Sequence, residues 1–185
     1  MDLPLLIEHC LAGDRIAQRQ LYERFLPYAL TVTRRYGVVS RYQADAVQEI
    51  FAEVFVKLAN FDARKGQFPT WFRTIAVRKT VDFQRRREKF GFTTLVAVLP
   101  EQKPSAPISF EAVPTDELFA AFAALPTGFR TVFNLYAIDG YRHREIADLL
   151  GITPSASRSQ YARAKERLRH HLLKFKKKQL AHEDR

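Results

Sequence analysis

At 185 residues and a net charge of +10, the chain is long enough for one ordinary domain or two small ones, and basic enough to attract a polyanion. A hydrophobic fraction of 46% excludes wholesale disorder, and a single cysteine, Cys10, excludes an internal disulfide and a thiolate zinc site. Glycine is scarce, long side chains abound, and alternating runs bounded by Asn-Gly or Asp-Gly turns are nearly absent, so the expected fold is all-α.

The start, Met-Asp-Leu-Pro, lacks the basic segment and apolar core of a signal peptide. No apolar run approaches the roughly 20 residues that span a bilayer. No membrane insertion and a reducing, cytoplasmic setting are therefore expected.

A short helix over residues 5–12 closes at Gly13. Asp14 then has the chemistry of an N-cap for a longer helix to about residue 36, with Ile16, Leu21, Phe25, Ala29, Val32 and Tyr36 on its apolar face and Gly37 as its stop. The third helix, over residues 41–60, has the clearest period: Val47, Ile50, Phe51, Val54, Phe55 and Leu58 recur at three- and four-residue steps. Its opposite side carries Asp45, Gln48, Glu49, Glu53 and Lys57. After a polar break at 61–67, a helix begins near Pro69, which suits a first turn, and runs to about residue 88. Phe68, Phe72, Ile75, Ala76 and Phe83 form its buried face. Arg73, Arg78, Lys79, Arg85, Arg86, Arg87 and Lys89 make this stretch the first of two basic clusters.

Between residues 91 and 114 Pro100, Pro104, Pro107 and Pro114 interrupt any long helix, which predicts a linker. Helices follow at about 115–124, 126–138, 142–150 and 154–175, and then a charged tail. Two small helical domains joined by a flexible linker result: residues 1–90, a linker at 91–113, a second domain at 114–178 and a tail at 179–185.

The second domain holds the most informative pattern. Ile146, Ala147, Leu149 and Leu150 give a short helix an apolar face, and Gly151-Ile152 breaks it. Thr153 is placed to cap the next helix and Pro154 to occupy its first position. A short helix, a glycine turn and a second helix form a helix-turn-helix. In the second helix Ser157, Tyr161, Ala164, Leu168 and Leu172 share the packing side, while Arg158, Ser159, Ala162 and Arg163 face outward near the N-terminal half. That half enters the major groove in such motifs, where Arg bonds guanine edges bidentately and Ala permits close approach. Arg142 and Arg144 stand where phosphates would fix the register.

At these residues the chain resembles a known family. "LPTGFRTVFNLYAIDGYRHREIADLLGITPSASRSQYARAKERL" is similar to region four of bacterial sigma factors of the extracytoplasmic-function (ECF) type. "DAVQEIFAEVFVKL" resembles the polymerase-binding helix of region two, and "FPTWFRTIAVRKTVDFQRRR" resembles the segment that engages and opens the minus-ten element. The three matches fall in the family's order. The resemblance implies that residues 1–90 bind core RNA polymerase through Asp45, Gln48, Glu49 and Phe51. It implies that the same domain engages the minus-ten element of promoter DNA through Lys65, Trp71, Arg73, Arg78, Lys79 and Arg85. Residues 114–178 would read the minus-thirty-five element through Arg142, Arg144, Ser155, Arg158, Ser159, Ala162 and Arg163. An anti-sigma protein is a further implied partner. The pattern departs from the family at Lys79, where Asn is common, and at Thr153-Pro154-Ser155-Ala156, where a Ser-x-Gly-Thr sequence is commoner.

Core packing and a DNA role both remain open for Trp71. A stand-alone helix-turn-helix regulator is the second reading of the chain, and the aromatic and basic stretch at 68–87 argues against it. A nuclease is the third. Asp45, Glu49 and Glu53 at four-residue spacing are joined by no suitably spaced His, and His170-His171 point apart on a helix. No catalytic residue, metal or cofactor is expected.

Overall fold

The structure, a computed structural model, describes residues 2–87 and 115–183. The linker expected at 91–113 and Lys89 lie outside the described residues. Among the described residues the secondary structure is helical, with no strand. The chain divides into two compact units, Met1–Arg87 and Glu88–Arg185.

The first unit contains α1 (Leu3–Leu11), α2 (Arg15–Arg35), α3 (Gln43–Lys57) and α4 (Phe68–Arg87), with short 3₁₀ turns at Ser40–Tyr42 and Leu58–Asn60. Asp14 caps α2: its Oδ1 accepts from the Ile16 N–H (2.8 Å) and the Ala17 N–H (3.3 Å). Both bonds are stronger to the ionised carboxylate, and together with His9 they hold the Asp14 carboxyl below its usual range.

Helix α2 packs against α1, α3 and α4. Its buried face comprises Ala17, Leu21, Phe25, Ala29 and Val32, and Tyr36 at its end is fully buried. Ile16 departs from the expected face and is 71% exposed. At about 100° per residue it lies roughly 140° around the helix from Leu21, off the stripe that meets α3 and α4. The Tyr36 carbonyl accepts from Gln84 Nε2 (3.1 Å), so a buried amide ties the end of α2 to α4.

The centre of this unit is aromatic. Phe72 is fully buried, with ring centroids 4.8 Å from Phe25, 5.5 Å from Phe51 and 6.1 Å from Tyr28. Phe25 meets Phe68 edge-on at 5.1 Å, and Tyr22 lies 4.4 Å from Phe51.

The second unit contains α5 (Thr115–Ala123), α6 (Thr127–Phe133), a π-helical turn (Asn134–Ile138), α7 (His143–Leu150) and α8 (Pro154–Glu183). Helix α8 packs on α5, α6 and α7. Ala121, Leu125, Phe129, Phe133, Ala164, Leu168 and Leu172 form one buried cluster, with Phe122 and Tyr161 against it. The backbone of α8 continues to Glu183, past residue 178 where the sequence pattern suggests a frayed tail. Gly and Pro are absent beyond Pro154, so nothing in the covalent chain stops the helix where its apolar spacing ends.

Phe72→Ala is expected to destabilise the protein by about 3–5 kcal/mol in chemical denaturation, because four neighbouring rings lose a common partner. A loss below about 1 kcal/mol would mean that those rings close over the cavity.

Candidate nucleic-acid interface

Helix α3 separates two kinds of side chain. Ala46, Val47, Ile50, Phe51 and Val54 point into the bundle. Asp45, Gln48, Ala52 and Val56 are exposed at three- and four-residue steps and form one outward stripe, with Val56 78% exposed. Phe51 does not belong to that stripe. Its side chain is 3% exposed and wedged among Tyr22, Phe55 and Phe72, so its direct partners are those rings. Its apolar spacing with Ile50 and Val54 outweighs the position implied by resemblance. Asp45 and Gln48 are open to solvent, whereas Glu49 is partly covered and paired with Arg86 of α4.

The loop at 61–67 and the start of α4 make the second site. Asp62 organises the loop: its Oδ1 accepts from the Arg64 N–H and Arg64 Nε (both 3.0 Å), and its Oδ2 from Arg64 Nη2 (3.0 Å). The Arg64 guanidinium, then the Arg64 N–H, hold the Asp62 carboxyl below its usual range. A shallow pocket is lined by Asn60, Asp62, Lys65, Gln67, Trp71 and Thr74 among others. Trp71 is half-buried, packing at 5.6 Å on Phe61 and 5.3 Å on Phe68 while its remaining surface lines that pocket. It therefore has a core contact and an open face at once. The amide and hydroxyl groups around it suit hydrogen bonds to a base edge, and the ring offers a stacking surface.

The cations differ in availability. Lys65 extends into solvent, with its ammonium 4.0 Å from Asp62. Arg78 and Arg85 are exposed, and Arg73 is half-buried. Lys79 is more constrained than its place in a basic run suggests. Its side chain is 25% exposed and its ammonium lies 3.5 Å from Glu53, which also pairs with Lys57 at 2.6 Å. The two lysines, Lys57 first, hold the Glu53 carboxyl below its usual range. Any phosphate that recruits Lys79 must displace this carboxylate. Sequence spacing could not reveal the pair, because its partners come from different helices. At the end of α4 Arg87 lies over the Tyr42 ring (3.3 Å to the centroid) and Arg41 over its other reach (4.7 Å), adding two guanidinium planes.

In the second unit α7, the turn and α8 form the helix-turn-helix. Gly151 adopts φ 67°, the left-handed conformation that ends α7, and the Ile152 N–H bonds the Ala147 carbonyl (3.1 Å). Thr153 Oγ1 accepts from the Ala156 N–H (3.0 Å), capping α8, and Pro154 begins it. The Arg142 N–H bonds Glu145 Oε2 (2.6 Å) at the start of α7. Arg142, Arg144, Ser155 and Arg158 are exposed, and Ser159, Ala162 and Arg163 are partly exposed along the outer side of α8. All seven lie on the helix-turn-helix, with the four basic groups accessible. Ser157 and Gln160 are buried between these outward positions. Gln160 has no apolar signal that would have placed it inside. Among the described residues no group of three or more His, Cys, Asp or Glu is placed to hold a metal ion.

The Sigma-70 region 2 family model matches residues 21–90, and the Sigma-70, region 4 model matches residues 115–168. Together they span more than half of the chain. A probable RNA polymerase sigma factor RfaY of Xanthomonas campestris pv. campestris is 29% identical over 92% of this chain and 45% of that protein. The ECF RNA polymerase sigma factor RpoE of Cereibacter sphaeroides is 26% identical over 86% of this chain and 88% of its own. The chain thus spans under half the length of the first relative and most of the second. Among solved structures, the sigma factor RpoE of Bartonella quintana, in complex with the anti-sigma factor NepR, covers 83% of this chain with a TM-score of 0.52 at 19% identity, a likeness of fold. The chain belongs to the sigma-70 family. Within that family it is of the ECF type.

Glu53→Gln is expected to release Lys79 and Lys57 and so strengthen binding to a single-stranded oligonucleotide. Each lysine recruited to a phosphate should steepen the salt dependence by about 0.7 in log–log slope, read by fluorescence anisotropy. An unchanged slope would show that neither lysine can reach the strand.

Proposed function

We infer that this chain binds core RNA polymerase and directs promoter-specific transcription initiation. The first unit engages and opens the minus-ten element, and the second reads the minus-thirty-five element in the major groove. The observation that carries this reading is the pairing, in one chain and in family order, of a region-two unit and a capped helix-turn-helix with exposed arginines. The chain acts as a specificity subunit and has no reaction of its own to catalyse.

Its parts divide the work by chemistry. The stripe of Asp45, Gln48, Ala52 and Val56 offers a mixed polar and apolar strip to the polymerase, with the charged residue setting register and Val56 contributing contact area. Glu49 contributes through its pairing with Arg86, which holds α3 against the end of α4. Strand opening requires a place for unstacked bases and charge for their phosphates. The pocket beside Trp71 would take a base, and Lys65, Arg73, Arg78 and Arg85 would follow the backbone, with Lys79 joining after it leaves Glu53. In the second unit Arg158, Ser159, Ala162 and Arg163 would meet base edges. Arg142, Arg144 and Ser155 would meet phosphates.

Function in the cytoplasm fits a partner that transcribes, and no helix among the described residues is long and apolar enough to cross a membrane. An anti-sigma protein covering one or both units is the expected negative regulator.

The purified chain should co-elute stoichiometrically with bacterial core RNA polymerase and be displaced by a primary sigma factor. Failure of a folded chain to bind would favour a stand-alone regulator. Replacing Asp45 and Gln48 together by Ala should weaken that binding without loss of helical content. Arg163→Ala should cost roughly 1–3 kcal/mol of discrimination at one minus-thirty-five position if it reads a base; a uniform loss across sequences would assign it to a phosphate.

A further inference from the structure

Ser157 lies between the outward residues Ser155, Arg158 and Ser159, and its own side chain is fully buried. A buried hydroxyl requires a partner. It has one in His143, the first residue of α7, whose Nδ1 is 2.9 Å from Ser157 Oγ. The imidazole is stacked flat on Tyr136 of the π-helical turn, with centroids 4.3 Å apart and planes 11° apart. Tyr161, one turn further along α8, lies 6.0 Å from the imidazole and 4.6 Å from Tyr136. One ring therefore joins α7, the π-helical turn and the first turns of α8. Neither Arg158 nor Ser159 can keep a fixed direction unless the first turns of α8 are held in rotation about the helix axis, and this bond is a side-chain restraint on that rotation from α7.

We propose that His143 is a positioning residue for minus-thirty-five recognition, setting the rotation of α8 through Ser157 so that Arg158 and Ser159 face the bases. The inference rests on the reading of residues 115–168 as a region-four DNA reader.

The groups that face or flank the imidazole give it a dependence on pH. Tyr136 faces it from the π-helical turn and Tyr161, Ser157 and Arg158 from α8; Arg142 precedes it as the N-cap of α7, and Arg144 and Glu145 follow it on that helix. Burial, and then the Arg158 guanidinium, push the His143 pKa below its ordinary value. The folded arrangement thus favours the neutral ring. The stability contributed by this preference is fully present above about pH 6.5, the ordinary histidine value, and is lost as pH falls through the lower value of the folded state. Protonation there turns Nδ1 from acceptor to donor, places a charge beside Arg158 and forces the Ser157 bond to reverse. Phosphates of bound DNA favour protonation, but that effect is common to all sequences and cancels in a ratio of affinities.

The test uses holoenzyme reconstituted with this chain. The probes are a duplex recovered by the wild-type holoenzyme from a pool randomised over the minus-thirty-five region, and the same duplex with that region scrambled. His143→Phe keeps a ring against Tyr136 and loses the hydrogen bond; Ser157→Ala removes the other partner. Each should lower the intact-to-scrambled affinity ratio roughly three- to tenfold, and the double variant should lower it no further than the worse single. His143→Asn, whose amide can occupy the Nδ1 position, should restore most of the ratio. The wild-type ratio should hold from pH 8 to 7 and fall at lower pH, while that of His143→Phe stays flat. Unchanged ratios in the variants, additive losses, or equal losses on intact and scrambled DNA would overturn the positioning role while leaving the region-four reading in place. A wild-type holoenzyme that recovers no preferred sequence would overturn both.

Discussion

The first unit depends on one aromatic junction. Phe72 occupies the place where α2, α3 and α4 meet, and the rings of Phe25, Phe51 and Phe68 close around it. Because Phe68 and Phe72 begin α4, the junction also sets where the preceding loop must end. It fixes the neighbouring Trp71, which packs on Phe61 and Phe68 and leaves one face at the pocket. A contact made for packing thereby orients a surface fit for nucleic acid. Seven of the 15 phenylalanines of the sequence lie in this unit, and large rings let four helices of under a hundred residues bury enough apolar area to stay folded.

Electrostatics assigns the carboxylates of α3 to different tasks. Glu49 and Glu53 lie on the edge that meets α4 and are engaged there by Arg86 and Lys79. Asp45 lies on the outward stripe with Gln48. Such half-exposed ion pairs add little to stability. Their effect is on availability, since a paired lysine must exchange one anion for another before it can serve DNA. The basic run of α4 is accordingly a graded series, from the solvent-exposed Arg78 to the restrained Lys79, and not a uniform patch.

Much of the fold was readable in the sequence because helix boundaries are written in local chemistry. Asp14, Gly151 and Thr153 sit at helix ends where their side chains or backbone freedom predict them, and Leu21, Ile50, Phe72 and Leu168 are buried as their spacing requires. The outward positions of α8 were readable for the same reason. Other features were less legible. Phe51 has the spacing of a core residue, and only resemblance to a family placed it at an interface. Glu53–Lys79 and His143–Ser157 join different helices, so no periodicity within one element contains them. Gln160 is buried although its amide gives no sign of it, because inward direction at that turn is set by how α8 packs on its neighbours.

The length of α8 has a mechanical consequence. Thirty helical residues form a rod of about 45 Å. No glycine or proline interrupts it after Pro154. Helices kink sharply at such residues or at local breaks in the hydrogen-bond ladder, and an uninterrupted one bends only gently. The turns that carry Arg158 and Ser159 and the lysine-rich far end therefore belong to one continuous, nearly straight helix. Leu168 and Leu172 anchor that stiff helix to the domain, so a displacement of its far turns is resisted at the core and not absorbed by a bend.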